Sequence, residues 1–273
     1  MSLALNLRKS IFIILAATLA ISSCSRDKVV YKEYELTDND KGFSTDFGAM
    51  EFINDDVEAM ANIAAVNGNP SFMGCEPVVS HDTGLNRIII NFGGDCQETV
   101  SKIRRSGKIR IDYTREYWDS GSVHTITFDD YYYDGKRLTG YKTIENRGYD
   151  DKGRWFYSIV VSDTLHLGSN NGFISFASER TRTWLNGFNS LANTSDDVYQ
   201  LTGSGSIKRA NDQYGDFNII NDLVVGLDCK WVKSGTLQMI PRDGDPRILD
   251  FGGGDCDNKG TLEINGKMFE VEL

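Results

Sequence analysis

The sequence predicts a mainly β protein, an antiparallel meander sheet with one N-terminal helix, on three observations. Most of the chain beyond residue 87 consists of short runs in which apolar and polar residues alternate, the period of a half-buried strand. Turn-forming residues separate those runs at intervals of about 8 to 15 positions. Only residues 49–66 carry a good helical period, so there is no room for the alternating strand and helix units of a doubly wound fold. The pattern leaves the sheet open, curled or barrel-like.

The chain begins with a basic pair, Arg8 and Lys9, followed by an apolar run at 11–21 and then small residues. That run is about half of the ~20 residues a membrane-spanning helix needs, so residues 1–23 read as a signal peptide and not as an anchor. Ile21-Ser22-Ser23-Cys24 resembles a bacterial lipobox, which implies that Cys24 carries diacylglycerol and a further acyl chain such as palmitate. At ~0.8 kcal/mol per buried CH₂, several acyl chains hold a protein on a membrane without a spanning segment. The expected location is the outer membrane, lipid-anchored, with the periplasmic and surface faces both open.

Loss of the leader removes Arg8 and Lys9 from the 29 basic residues and leaves 27 against 39 acidic ones, a formal charge of −12. Such a chain is a poor ligand for nucleic acid, whose binding rests on Lys and Arg neutralising phosphates. Anionic headgroups repel it as well, so the membrane contact falls to the acyl chains. Residues 24–48 read as the lipidated cysteine and a polar tether, and residues 49–273 as the β-rich body.

Within the body, Phe52, Val57, Met60, Ile63 and Ala64 recur at roughly helical spacing, and Asn67-Gly68-Asn69-Pro70 supplies a stop. Strand alternation is clear in Lys108-Ile109-Arg110-Ile111 and in Val123-His124-Thr125-Ile126-Thr127-Phe128. Asp134-Gly135 is a two-residue hairpin signal, because both residue types tolerate positive φ. Further turns are expected at 119–121, 150–153, 169–172, 211–215 and 265–266.

One phrase returns near both ends: NFGGDC at 91–96 and DFGGGDC at 250–256. Upstream of each lies a cysteine, Cys75 or Cys229, with Val three and Ser five residues later. Downstream, Gly107-Lys108 and Gly266-Lys267 follow at similar offsets. These features define repeat units of about 72–113 and 226–273, with central hairpins at 114–225. With Cys24 taken by lipid, four cysteines allow three pairings, and the repeat favours Cys75 with Cys96 and Cys229 with Cys256. An oxidising envelope keeps such bonds. The glycine phrases then read as bends beside disulfides, since no GK[ST] helix start follows them as a phosphate loop requires.

Chemical signals are sparse. His81, His124 and His166 form no close metal pair, and no serine sits in GxSxG, so no catalytic residue is assigned. No cofactor is expected, although Asp243, Asp245, Asp250, Asp255 and Asp257 are hard-oxygen ligands of the type Ca²⁺ takes. The basic residues Lys102, Arg104, Arg105, Lys108 and Arg110 are a candidate contact for a phosphorylated polymer. Tyr117, Trp118, Tyr131, Tyr133, Trp155 and Tyr157 are a candidate binding face, because Tyr and Trp on a sheet stack on sugar rings or anchor a protein partner.

The order of these motifs, with INFGGDC, GKIRIDYTREY, TITFDDYYYDGKRLTGYKTIEN and CDNKGTLEINGK, resembles a group of uncharacterised lipoproteins from Bacteroidota envelopes. The resemblance spans residues 49–273 and implies lipidation and a β-rich secreted body; it carries over no activity or catalytic residue. Surface-exported lipoproteins of that phylum often have an acidic run after the lipidated cysteine, whereas Ser25-Arg26-Asp27-Lys28 holds one acid. The expected role is a non-catalytic binding or structural one toward an envelope protein or glycan. The alternatives are an envelope glycan hydrolase and a carrier of lipid or other apolar cargo.

Overall fold

The computed structural model describes residues 35–66, 74–168, 172–190, 194–210, 212–242 and 244–273. The expected leader, Cys24, residues 25–34 of the tether, the helix stop at 67–70, residues 169–171 of an expected turn, Asn211 and Asp243 lie outside the described residues. Of the two units into which the chain divides, the body is Leu36–Leu273.

The body opens with helix α1, Asp38–Ala65, which begins well before residue 49 and takes residues 38–48 out of the expected tether. Thr37 caps it: its hydroxyl accepts from the Asp40 N–H at 3.2 Å, and the Asp40 carboxylate accepts from the Thr37 N–H at 3.0 Å. The early turns hold Gly42, Ser44, Thr45 and Gly48, residues of low or middling helix propensity, so local sequence does not announce them. Burial supplies what propensity lacks, since Phe43, Phe47 and Met50 are fully buried. Asp40, Asp46, Glu51 and Glu58 are buried too, and a helix covered nearly all round has no clear polar face to read.

Thirteen strands follow: β1 Val78–Asp82, β2 Arg87–Gln97, β3 Arg104–Tyr113, β4 Val123–Tyr133, β5 Lys136–Tyr149, β6 Trp155–His166 and β7 Phe173–Asn186. Then come β8 Val198–Arg209, β9 Tyr214–Gly226, β10 Ser234–Pro241, β11 Arg247–Gly253, β12 Lys259–Ile264 and β13 Lys267–Glu272. They form one antiparallel sheet in strict chain order, with β1 and β13 as unjoined edges. Asp134-Gly135 turns β4 into β5 with φ of 49° and 76°, and Asn265-Gly266 turns β12 into β13 with 52° and 77°. Both hairpins are the expected ones.

The sheet is open yet strongly curled. The Phe47 ring lies 6.1 Å from Phe176 on β7 and 5.9 Å from Phe251 on β11, so those two rings are at most 12 Å apart. Four strand spacings in a flat sheet would separate them by ~19 Å. Glycines permit part of the bending: Gly140 (φ 112°) and Gly203 (φ 120°) sit where a Cβ would come within 2.2 and 2.3 Å of a neighbouring strand's carbonyl oxygen. The concave side therefore wraps α1, whose length is about 42 Å. Among the described residues no helix is long and apolar enough to cross a membrane.

The two cysteine pairs are bonded as the repeat suggested, Cys75 to Cys96 and Cys229 to Cys256. The repeated phrase also makes the same local turn twice. Asn91 accepts from the Gly93 N–H at 3.0 Å and Asp250 from the Gly252 N–H at 2.7 Å, with both glycines at positive φ and Phe92 and Phe251 buried beside them. The equivalence stops there. Gly107-Lys108 lies inside β3, which pairs with β2, whereas Gly266-Lys267 is at the start of β13, separated from β11 by β12. Because β2 and β11 run in opposite directions, the two disulfides staple opposite ends of the sheet.

Candidate functional site

The aromatic set divides by burial. Tyr117, Tyr131, Tyr133 and Tyr157 are at most 7 % exposed and belong to the core, which removes them from any binding face. Tyr131 packs between Phe92 and Phe128, Tyr133 meets Phe52 of α1, and Tyr117 stacks on Tyr157 at 5.7 Å. Burial holds all four phenols above their ordinary pKa. Only Trp118 and Trp155 keep partial exposure, in a cluster with Trp184 and the exposed Tyr149. The reason is the curl: residues facing the concave side meet a helix instead of solvent.

That concave side also holds the least expected chemistry, a series of charges running along α1. Arg247 on β11 pairs with Asp40 at 2.8 Å, and Arg209 on β8 donates to Asp46 at 2.7 Å. Arg180 on β7 pairs with Glu51 at 2.6 Å, and Lys142 on β5 with Glu58 at 2.6 Å. Arg182 shares Glu58, and Arg105 on β3 binds Asp56 at 2.7 Å and Glu98 as well. Six cations from five strands thus each hold an acid of the one helix. Such buried pairs gain little net stability against desolvation, but removing one partner is costly, so the arrangement fixes how α1 sits. The signal was present in the sequence: Arg180 and Arg182 share the inward alternation of Ile174, Phe176 and Trp184.

Carboxylates are in excess at the middle of this series. Burial pushes Asp163 on β6 up to about 7, against the Asn54 amide that donates to it at 3.0 Å and the nearby Lys142. Burial likewise raises Asp55 to about 6 and lowers Lys142. Asp163 therefore keeps its proton up to near neutrality, which spares the core one negative charge.

The remaining candidates are dispersed. Arg105, from the basic run, is fully buried against α1 and leaves the polymer contact. Of the other members, Arg104 meets Asp95, Lys108 meets Asp129 and Arg110 meets Asp112, so the charge of these three is largely met locally, while the exposed Lys102 lies just before β3. His124 is buried, faces Tyr113 across the strand pair and donates through its Nε2–H to the Arg115 carbonyl at 3.1 Å; burial lowers its pKa. Of the proposed calcium ligands, Asp250 and Asp257 accept from backbone N–H groups in their own turns and Asp245 from Asn265. Among the described residues no three His, Cys, Asp or Glu side chains gather as a metal site.

A feature that sequence reading missed lies on the outer face. Tyr141, Ser162, Ala177, Ser206, Asp216 and Ile240 stand directly opposite one another across β5 to β10. Tyr141 and Ile240, 43 % and 40 % exposed, end the row, and the residues between are short. The result is a trough of about 570 Å³, to which Glu179, Ser204 and Asn218 also contribute. Residues from six strands meet only through the register, which no single strand's pattern reveals.

No family model matches this chain, and neither a curated protein nor a solved structure is similar to it. The class defined by the fold is an open 13-stranded antiparallel meander curled around a helix.

Proposed function

We propose that this chain is a lipid-anchored envelope protein whose body acts by binding, holding an envelope macromolecule on the outer face of its sheet. The observation that carries the reading is the division of the two faces. The concave side is occupied by α1 and its ion pairs, which leaves little space for a lipid or apolar cargo, while the outer side presents the trough between Tyr141 and Ile240. The leader, the lipobox and the resemblance to Bacteroidota lipoproteins support anchoring through Cys24.

Two experiments test the two halves. Native-host cells fed an alkyne fatty acid should label the wild-type protein and not a Cys24→Ala variant; equal labelling would sink the anchor. A photoreactive benzoylphenylalanine placed at Ser206 of the full-length protein should give an adduct on irradiated cells, and absence of any adduct would sink the outer-face reading.

A second reading follows from Glu179 and Asp216, two exposed carboxylates in the same trough, which is the residue type a glycan hydrolase uses. It requires that a bound chain be shortened, and that Glu179→Gln or Asp216→Asn abolish the shortening.

A further inference from the structure

We infer that the occupant of the outer trough is a neutral glycan chain lying across the strands, an inference that rests on the outer-face reading above. Shape is the first argument. The row from Tyr141 to Ile240 crosses five strand steps, about 24 Å along the sheet at ~4.8 Å each. One step is close to the length of one sugar ring in an extended chain. A large exposed side chain closes each end, and Ser162, Ala177 and Ser206 keep the floor low enough for rings to lie on it.

Hydrogen-bonding capacity is the second. Strands β5 to β10 are each paired on both sides, so a peptide cannot join this surface as an added strand, the commonest way a sheet takes an extended peptide. What the floor offers instead is side-chain hydroxyls, the Asn218 amide and two carboxylates, which suit the dense donors and acceptors of a polyol. Tyr141 adds a ring face on which the C–H side of a sugar can stack.

Charge is the third, and it narrows the class. The residues lining the trough include no Lys or Arg, and the ionisable ones are Glu179, Asp216 and the Tyr141 phenol. A phosphorylated or uronic-acid polymer would meet carboxylates without a compensating cation, inside a protein that is already acidic. A neutral chain meets no such opposition.

The test uses the Ser206 photoadduct formed by the full-length protein on native-host cells. The adduct should be a broad high-mass species that collapses toward the monomer on periodate treatment, which cleaves vicinal diols. Acid hydrolysis should release mainly neutral sugars, and Tyr141→Ala should cut the adduct at least tenfold while leaving the melting temperature in place. Mainly uronic or phosphorylated sugars, or an adduct indifferent to Tyr141→Ala, would overturn the inference. A discrete periodate-resistant adduct would identify a protein partner, overturning the glycan and leaving the outer-face reading intact. Failure to form any adduct would overturn both.

Discussion

The two faces of this one sheet solve different problems. On the concave face, large aromatics and long cations from alternate strand positions close on a helix that carries complementary acids. On the outer face, the trough across β5 to β10 is lined between its ends by serine, alanine, asparagine and the two carboxylates Glu179 and Asp216, with large side chains at the ends of the row. The first face is a packing surface in which each of the six cations is held by an acid of the helix, and the second is a solvated surface whose groups are available. The contrast teaches that the charged residues of this acidic protein are not all surface residues: part of the charge is a fastening.

The comparison breaks most visibly at Glu58, which serves both Lys142 and Arg182. Glu58→Ala should cost about 3 to 5 kcal/mol in urea unfolding, because two buried cations lose their counter-charge. A loss under about 1 kcal/mol would mean that water already reaches them. Next, Cys229→Ser with Cys256→Ser opens a bond spanning 27 residues, and the unfolding free energy should fall by about 3 to 4 kcal/mol on the chain-entropy account.

Asp163 gives a prediction with a sign. Its proton is held in the folded state up to about pH 7 but in the unfolded chain only to about pH 4, the range of an ordinary carboxyl. Between those values the folded state binds more protons, so this group makes stability fall as pH rises through the window. Asp163→Asn should flatten that slope and raise stability at pH 8 by up to about 4 kcal/mol relative to wild type, about three pKa units at about 1.4 kcal/mol each. An unchanged slope from pH 4 to 7 would show that Asp163 ionises without penalty. The smallest effect belongs to the outer face, where Tyr141→Ala should change stability by no more than about 0.5 kcal/mol. A larger loss by calorimetry would make Tyr141 a packing residue and blur the distinction between the faces.

Much of the candidate site was hidden for reasons that particular residues make plain. The aromatic content of 117–157 was legible, but which rings face solvent was not, because alternation gives two faces without saying which one is covered. Tyr131 and Tyr133 sit on the covered one. Conversely, Tyr141 and Ile240 are separated by 99 positions and become ends of one row only through five registers.

By itself the sequence determined the antiparallel meander, the turns at Asp134-Gly135 and Asn265-Gly266 and both disulfide pairings, since these depend on local residue chemistry and on a repeated spacing. Tertiary structure alone decided the first turns of α1, the curl of the sheet, the pairing of strand cations with helix acids and the trough. Those features arise where distant segments exclude water from each other, and burial there outweighs propensities that, read locally, point to a polar tether and an exposed aromatic face.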